Sequence, residues 1–226
     1  MKRAVVLVAV LVMAVASARP APVDAQDLPR VAVLDFTGFM MDGNSSVSLG
    51  KAIAAMLVTE FSGMEGIQVI ERAELNAMLR EQDLALSGRL DESSAIEIGK
   101  LLGVQYVVTG QATDIVGNLR MDIRAVDVET SEIVAVLKMS DRTTELLSLV
   151  VALAVEFGEQ LDLVPPSQRA VIESIPVSAT IAFSRAVDME DRGDTARAIE
   201  FYERTLELHP SHRDAQLALE RLRGET

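Results

Sequence analysis

The order of hydrophobic patterns along residues 31–139 constrains the fold most. Short, almost wholly apolar runs, such as 31–36, are typical of strands that are buried on both faces. Between these runs, apolar residues recur at the spacing of a helix. The pattern predicts, in chain order, strand 31–36, helix 49–61, strand 67–70, helix 75–79, helix 94–102 and strand 106–112. This alternation favours parallel strands that are joined by helical crossovers.

The hydrophobic period changes at 119–125, where apolar and polar residues alternate strictly. One face of such a strand is buried and the other faces water. The same alternation returns at 133–139 after a tight connection at 129–131, so the two strands are predicted to form an antiparallel hairpin. A helix over 144–161 is predicted to pack back on the sheet. The expected fold class is α/β, with a three-layer mixed sheet of parallel βα units and an antiparallel hairpin.

Prolines interrupt the chain after this predicted α/β unit. Pro165, Pro166 and Pro176 fall in a span that lacks a strong hydrophobic period. We therefore expect an α/β domain at 26–163 and a linker at 164–178.

The segment 179–226 is predicted to be a small all-α tail. It matches the spacing of the second helix and terminal proline of a tetratricopeptide repeat at four positions, which are Ala198, Tyr202, Thr205 and Pro210. One repeat plus a capping helix over 213–222 is expected. Helical repeats usually need about three units to bury a continuous face, so this tail needs a further surface, on the α/β domain, on another copy or on a different protein. The candidate contacts in the tail are Ile199, Tyr202, Leu206 and Leu217.

A second candidate contact is the apolar triplet Phe39, Met40 and Met41, which is expected in a loop bounded by glycines. Such a triplet can fold onto the core. Methionine side chains are flexible and are common on adaptable binding surfaces, so the alternative is a partner contact.

The first residues have the layout of a secretory signal peptide. Lys2 and Arg3 precede an apolar run at 4–16, which small residues follow. The run is shorter than the roughly 18 apolar residues of a spanning helix. We expect 1–25 to be a signal peptide that is cleaved after residue 18 or 25. The expected location is the periplasm, free or peripheral to the outer membrane, with no transmembrane segment after cleavage.

Composition excludes several classes of partner and chemistry. The chain has no cysteine, which excludes disulfides, thiolate metal ligands and a thiol-linked lipid anchor. Its formal net charge of -13 at pH 7 disfavours nucleic acid and anionic lipid as partners.

The sequence gives only weak evidence for catalytic groups. The segment 43–52 departs from the spacing of a phosphate-binding loop. Glu71 and Glu74 are predicted to complement a helix dipole, with Arg72 paired to one of them. His209 and His212, the only histidines, are predicted to lie in a solvated turn rather than to bind a metal. We therefore expect no enzymatic activity, no cofactor and no metal.

Four stretches resemble the CsgG family, which is named for a component of curli production. They are RVAVLDF at 30–36, VIERAELNAMLREQ at 69–82, IGKLLGVQYVVTGQAT at 98–113 and RAVDVETSEIV at 124–134. This family is related in fold to LpoB and to the amino-terminal domain of TolB. The resemblance implies a periplasm-facing domain that docks with other envelope proteins, and it implies no catalytic residues.

The leading interpretation is an exported accessory or scaffold protein of an envelope assembly or secretion system, which acts by docking to envelope proteins. One alternative is a homo-oligomeric, ring-forming component that associates with itself. Another is a small-ligand sensor or hydrolase that uses the groove beside the strand ends, where wound α/β folds bind ligands.

Overall fold

The computed structural model describes residues 28–38, 40–42, 45–81, 92–161, 163 and 174–224. The strands are β1 (Arg30–Val33), β2 (Met40–Asp42), β3 (Ser45–Val47), β4 (Gln68–Val69), β5 (Tyr106–Ile115), β6 (Asn118–Asp127) and β7 (Ile133–Arg142). The helices are α1 (Leu49–Ser62), α2 (Arg72–Glu81), α3 (Glu92–Leu102), α4 (Leu146–Gln160), α5 (Val177–Asp191), α6 (Thr195–Leu208) and α7 (Arg213–Arg223). The signal peptide expected at 1–25, Phe39 and the part of the expected linker at 164–173 lie outside the described residues.

Five strands form one mixed sheet in the order β4-β1-β5-β6-β7. β1 pairs in parallel with both β4 and β5, and Val31 faces Tyr106 in that register. β5, β6 and β7 pair antiparallel, with Ile123 between Gly110 and Leu137. The parallel units and the antiparallel hairpin are therefore confirmed.

Both faces of β1 are covered, because its residues alternate between two cores. Val31 and Val33 enter the larger core, together with α1 and α4. Ala32, and Leu34 just after the strand, enter a smaller core with α2 and α3. The sheet thus lies between two helical layers, which confirms the predicted fold class.

The segment between β1 and α1 contains a short hairpin, where the sequence predicted a loop. β2 and β3 pair antiparallel, with Met40 opposite Val47. A residue at position 50 must be glycine here, since an added Cβ would lie 1.8 Å from the carbonyl oxygen of Phe36. This close approach holds the start of α1 against the chain that follows β1.

The tail consists of α5, α6 and α7, and α5 begins inside the segment that was expected to be a linker. Gly193, with a φ of 77°, ends α5 in a left-handed conformation that favours glycine. Asp194 then caps α6 by accepting a hydrogen bond from the Arg197 amide at 3.2 Å. Within the described part of the chain, no helix combines the length and apolar character needed to cross a membrane.

Candidate functional site

The tail packs on α1 and continues the larger core of the sheet. Phe183 of α5 is 1% exposed, and its ring lies 5.8 Å from the Tyr202 ring and 4.6 Å from the His212 ring. Ala198 and Ala215 belong to the same hydrophobic cluster as the buried residues of α1. We call the surface where α5, α6 and α7 meet α1 and α2 the junction. It supplies the further surface that a tail of three helices was expected to need.

A chain of ion pairs crosses the junction at what we call the paired end. Arg72 donates from Nη1 to Asp35 Oδ1 at 2.6 Å and from Nη2 to Asp191 Oδ2 at 2.8 Å. Asn76 Nδ2 donates to Asp191 Oδ1 at 2.8 Å. Lys51 Nζ lies 3.1 Å from Asp191 Oδ2. Both oxygens of the Asp191 carboxylate are therefore occupied.

The three central groups of the paired end come from three different elements. Asp35 follows β1, Arg72 opens α2 and Asp191 ends α5. Burial opposes the charge on Arg72, but Asp35 and Asp191 outweigh it and raise the pKa of this guanidinium. Burial likewise opposes the charge on Lys51, whose pKa is nevertheless raised, with the hydrogen bond to Asp188 as the largest favourable cause. Both cations therefore remain charged and hold α5 against the sheet.

Glu190 extends the paired end to the other two tail helices. Tyr202 donates from its hydroxyl to Glu190 Oε2 at 2.7 Å, and Arg221 Nη1 lies 2.7 Å from Glu190 Oε1. Burial, followed by the Glu190 charge, raises the pKa of Tyr202 and keeps the phenol a hydrogen-bond donor. α5, α6 and α7 are thus fixed to one carboxylate.

A groove with a volume of about 510 Å³ lies at the junction, between α1, the first turn of α2, α5 and α7. Apolar side chains that line it include Val58, Val187, Leu217 and Ala218, whereas charged residues of α2 and α7 stand around them. A concave apolar surface with a few placed polar groups is the usual form of a binding site.

The buried Asp214 lines the groove, and the buried His212 lies two residues before it; we call these two residues the open end. His212 is 1% exposed, and its Nδ1 accepts a hydrogen bond from the Ala215 amide at 3.4 Å. Burial lowers the pKa of His212 to about 4. Asp214 is 9% exposed, and burial raises its pKa to about 6. His212 Nε2 and Asp214 Oδ1 have no hydrogen-bond partner among the described residues.

The open end corrects the expectation of a solvated turn at the two histidines. His209 is 8% exposed and its ring lies 6.1 Å from that of His212. Packing against Phe183 of α5 buries the His212 ring, whereas Pro210 and Ser211 of the same turn are exposed. The described residues contain no group of three or more His, Asp or Glu side chains placed to hold a metal ion.

The candidate partner contacts are distributed unevenly. Tyr202 is 2% exposed and is used inside the chain, whereas Leu217 is 42% exposed and lines the groove. Ile199 and Leu206 are half-buried against the larger core. The backbone of Met40 and Met41 forms β2.

Sequence reasoning missed the paired end. It placed Arg72 with Glu71 or Glu74, but Arg72 bonds to Asp35 and Asp191, and Glu74 lies 3.8 Å from Arg30 instead. One signal was present, because a carboxylate at position 35 in an otherwise apolar run needs a buried cation. No local pattern points to Asp191, which is 119 residues from Arg72.

Residues 13–115 match the family model of the curli production assembly/transport component CsgG. The match covers the first three of the four stretches that carry the resemblance, and it ends before the fourth at 124–134. No match was found among curated proteins.

Solved structures show a partial likeness. The LpoB C-terminal domain from Escherichia coli is 17% identical at a TM-score of 0.41, over 50% of this chain and 82% of that one. Lipoprotein GNA1162 from Neisseria meningitidis is 15% identical at a TM-score of 0.41, over 57% and 95%. TolB from Acinetobacter baumannii is 12% identical at a TM-score of 0.40, over 59% and 28%. From the family match, the chain is CsgG-like over residues 13–115, as its sequence stretches indicated.

Proposed function

We propose that this protein is an exported, periplasmic accessory protein of a cell-envelope assembly, which acts by docking another protein at the junction and catalyses no reaction. The observation that carries the proposal is the groove of about 510 Å³ between the CsgG-like domain and the tail. The description of the matched family, an assembly and transport component, supports the same class of role.

The groove fits a docking role better than a catalytic one. Its walls come from four helices that ion pairs fix in place, so its shape exists before a partner arrives, and this lowers the entropic cost of binding. The ionised groups of the paired end are bonded to one another, so none of them is poised as a base or nucleophile.

Site-specific photo-crosslinking in the native cell tests this function. A photoreactive phenylalanine analogue replaces Leu217, which is 42% exposed in the groove. The matched control is the same replacement at Leu101 of α3, which is 44% exposed in the opposite helical layer. We expect the protein in the periplasmic fraction and a discrete adduct at position 217 that position 101 does not give. A cytoplasmic protein, or equal adducts at both positions, contradicts the proposal.

Self-association is the second candidate, and the edge of the sheet favours it. β7 pairs with β6 alone in the described sheet, and it exposes Ile133 and Val136 at 41% and 49%. Exposed apolar edge strands are templates for pairing with another chain. Light scattering at increasing concentration tests this candidate. An oligomer that Val136→Lys dissociates supports it, and a monomer at all concentrations removes it.

A further inference from the structure

The open end of the groove holds a carboxylate that the chain satisfies only in part, because the Thr59 side chain hydrogen-bonds to Asp214 but one carboxylate oxygen is left over. Asp214 is 9% exposed, and its Oδ1 has no hydrogen-bond partner within the described residues. His212 Nδ1 lies 3.9 Å from Oδ2, beyond hydrogen-bond distance. A buried carboxylate oxygen without a hydrogen-bond donor costs free energy, so a ligand that supplies the missing donor recovers it.

Two hydroxyl groups on the α1 wall of the groove add further acceptors. Thr59 Oγ1 lies 3.3 Å from the Ala55 carbonyl oxygen and also hydrogen-bonds to Asp214, whereas Ser62 Oγ donates to the Val58 carbonyl at 2.7 Å. A hydroxyl has one proton, so each oxygen is left to accept from a ligand. This wall and Asp214 together favour a group that donates several hydrogen bonds and accepts none. A primary ammonium has three donors and no acceptor.

Among the described residues that line the groove, three arginines leave Asp214 Oδ1 without a bond. Arg72 is bonded to Asp35 and Asp191, and Arg221 pairs with Glu190, so both serve the paired end. Arg213 precedes Asp214 but is exposed and leaves Oδ1 unbonded. The net charge of -13 additionally favours a basic partner.

The apolar lining of the groove selects the stem that carries the ammonium. Val58, Leu217 and Ala218 lie along the space that leads to Asp214. Lysine buries its methylene stem along apolar surface and keeps its charged end on a polar group. The volume of about 510 Å³ exceeds that of one lysine side chain and leaves room for neighbouring residues of a peptide.

We propose that the groove binds a lysine side chain of the partner protein, with the ammonium against Asp214 and the stem between α1 and α7. This rests on the proposed docking function and names the chemistry of the partner. It assigns to Asp214 a role in binding.

Peptide titration of the full chain tests the proposal. The probe is the acetylated and amidated pentapeptide Ala-Leu-Lys-Leu-Ala, and the control peptide has norleucine in place of lysine. Norleucine keeps the stem and removes the charge. We expect the lysine peptide to bind at least about tenfold more tightly, as measured by calorimetry or by chemical-shift changes. Equal affinity for the two peptides overturns the proposal.

Two variants on adjacent positions sharpen the test. Asp214→Asn keeps the size of the side chain, and it should abolish the preference for lysine over norleucine. Arg213→Gln removes a competing cation, and it should leave the preference unchanged or increase it. A preference that survives Asp214→Asn in a folded protein places the ammonium elsewhere and overturns the assignment.

The pH dependence of binding is measured on the wild-type protein, so this test does not depend on whether a variant folds. The affinity for the lysine peptide should fall about tenfold between pH 7.5 and pH 5, because burial raises the pKa of Asp214 to about 6. Other charged groups near Asp214 are Glu60 on α1 and His212 and Arg213 beside it, and Glu71 lines the same groove. The norleucine peptide reports their contribution, and an equal loss for both peptides contradicts a role for Asp214.

The two proposals fail separately. A crosslinked partner at Leu217 without any lysine preference keeps docking and removes the lysine. If no adduct forms at position 217 in cells but the peptide preference depends on Asp214, the ammonium site stands and the docking function falls.

Discussion

The two ends of the junction differ in how their buried charged groups are paired. At the paired end, Arg72 lies between two carboxylates, and Glu190 is bonded to both Tyr202 and Arg221. At the open end, Asp214 is as deeply buried but Oδ1 has no partner in the described structure. A fold that needs only to hold its tail gains nothing from the second arrangement, because a buried carboxylate oxygen without a donor destabilises it.

The difference separates holding from binding. The paired end fixes the positions of the helices, and its loss should lower stability. The open end retains a carboxylate oxygen without a donor. Substitutions at the open end should therefore change the pH dependence and binding more than the stability. The predictions below test this separation, starting with the largest effect.

Removal of Arg72 should be the most damaging single change. Arg72→Met leaves Asp35 and Asp191 without their shared partner, and we expect the free energy of unfolding to fall by about 3 kcal/mol or more. Urea denaturation followed by circular dichroism measures this. The control is Arg120→Met, which breaks an exposed pair with Asp122 and should cause no measurable loss. Equal stabilities of the two variants would show that the paired end does not hold the tail.

Acidification should affect two variants at the open end in opposite directions. The pKa of His212, about 4, lies below its ordinary value of 6.5, so its contribution to stability is present above pH 6.5 and is lost as pH falls through 4. The pKa of Asp214, about 6, lies above its ordinary 3.8, so its contribution is present below 3.8 and is lost as pH rises through 6. In the wild type these contributions oppose each other between pH 7 and pH 5.

Each variant exposes the contribution of the residue that remains. From pH 7 to pH 5, the change in stability of Asp214→Asn should be more negative than that of the wild type by about 1 kcal/mol. The change for His212→Asn, which keeps a helix-capping oxygen, should be more positive by about 2 kcal/mol. Urea unfolding at both pH values measures the differences. Parallel pH profiles would contradict the opposite environments of the two groups.

The sequence allowed the sheet to be predicted, because its strands carry their own evidence. Strict alternation at 119–125 and 133–139 determined the hairpin and its buried face, and the apolar run at 31–36 identified a strand buried on both sides. β2 and β3 have three residues each, which is too short for a period to be read. The elements that could be predicted are therefore those long enough to show a hydrophobic period in the sequence.

The junction could not be predicted in the same way, because its contacts join distant parts of the chain. Burial of His212 depends on Phe183, and Pro210 two residues earlier indicated a solvated turn. The partner of Arg72 on α5 became apparent only when the tail was placed on α1. Leu217 was nevertheless predicted as a contact candidate from helical spacing, and it lines the groove.

Removal of the Tyr202 hydroxyl should have a moderate effect. Tyr202→Phe takes one donor from Glu190, which keeps Arg221, so we expect a loss of about 1 kcal/mol in the free energy of unfolding. Tyr106→Phe is the matched control, since the Tyr106 hydroxyl only accepts an exposed hydrogen bond from Gln105. If Tyr202→Phe is as stable as this control, the hydrogen bond from Tyr202 to Glu190 does not contribute to stability.

The smallest effect on stability should come from the groove surface itself. Leu217 is 42% exposed, so Leu217→Ser should lower the free energy of unfolding by less than about 0.5 kcal/mol. Leu219, two residues further along α7, is 5% exposed, and Leu219→Ser should cost about 2 kcal/mol or more. Binding should show the reverse order, because Leu217 lines the groove: the lysine peptide should bind more weakly to Leu217→Ser than to a folded Leu219→Ser protein. If Leu217→Ser is destabilised as strongly as Leu219→Ser, the groove surface belongs to the core and the distinction between holding and binding fails.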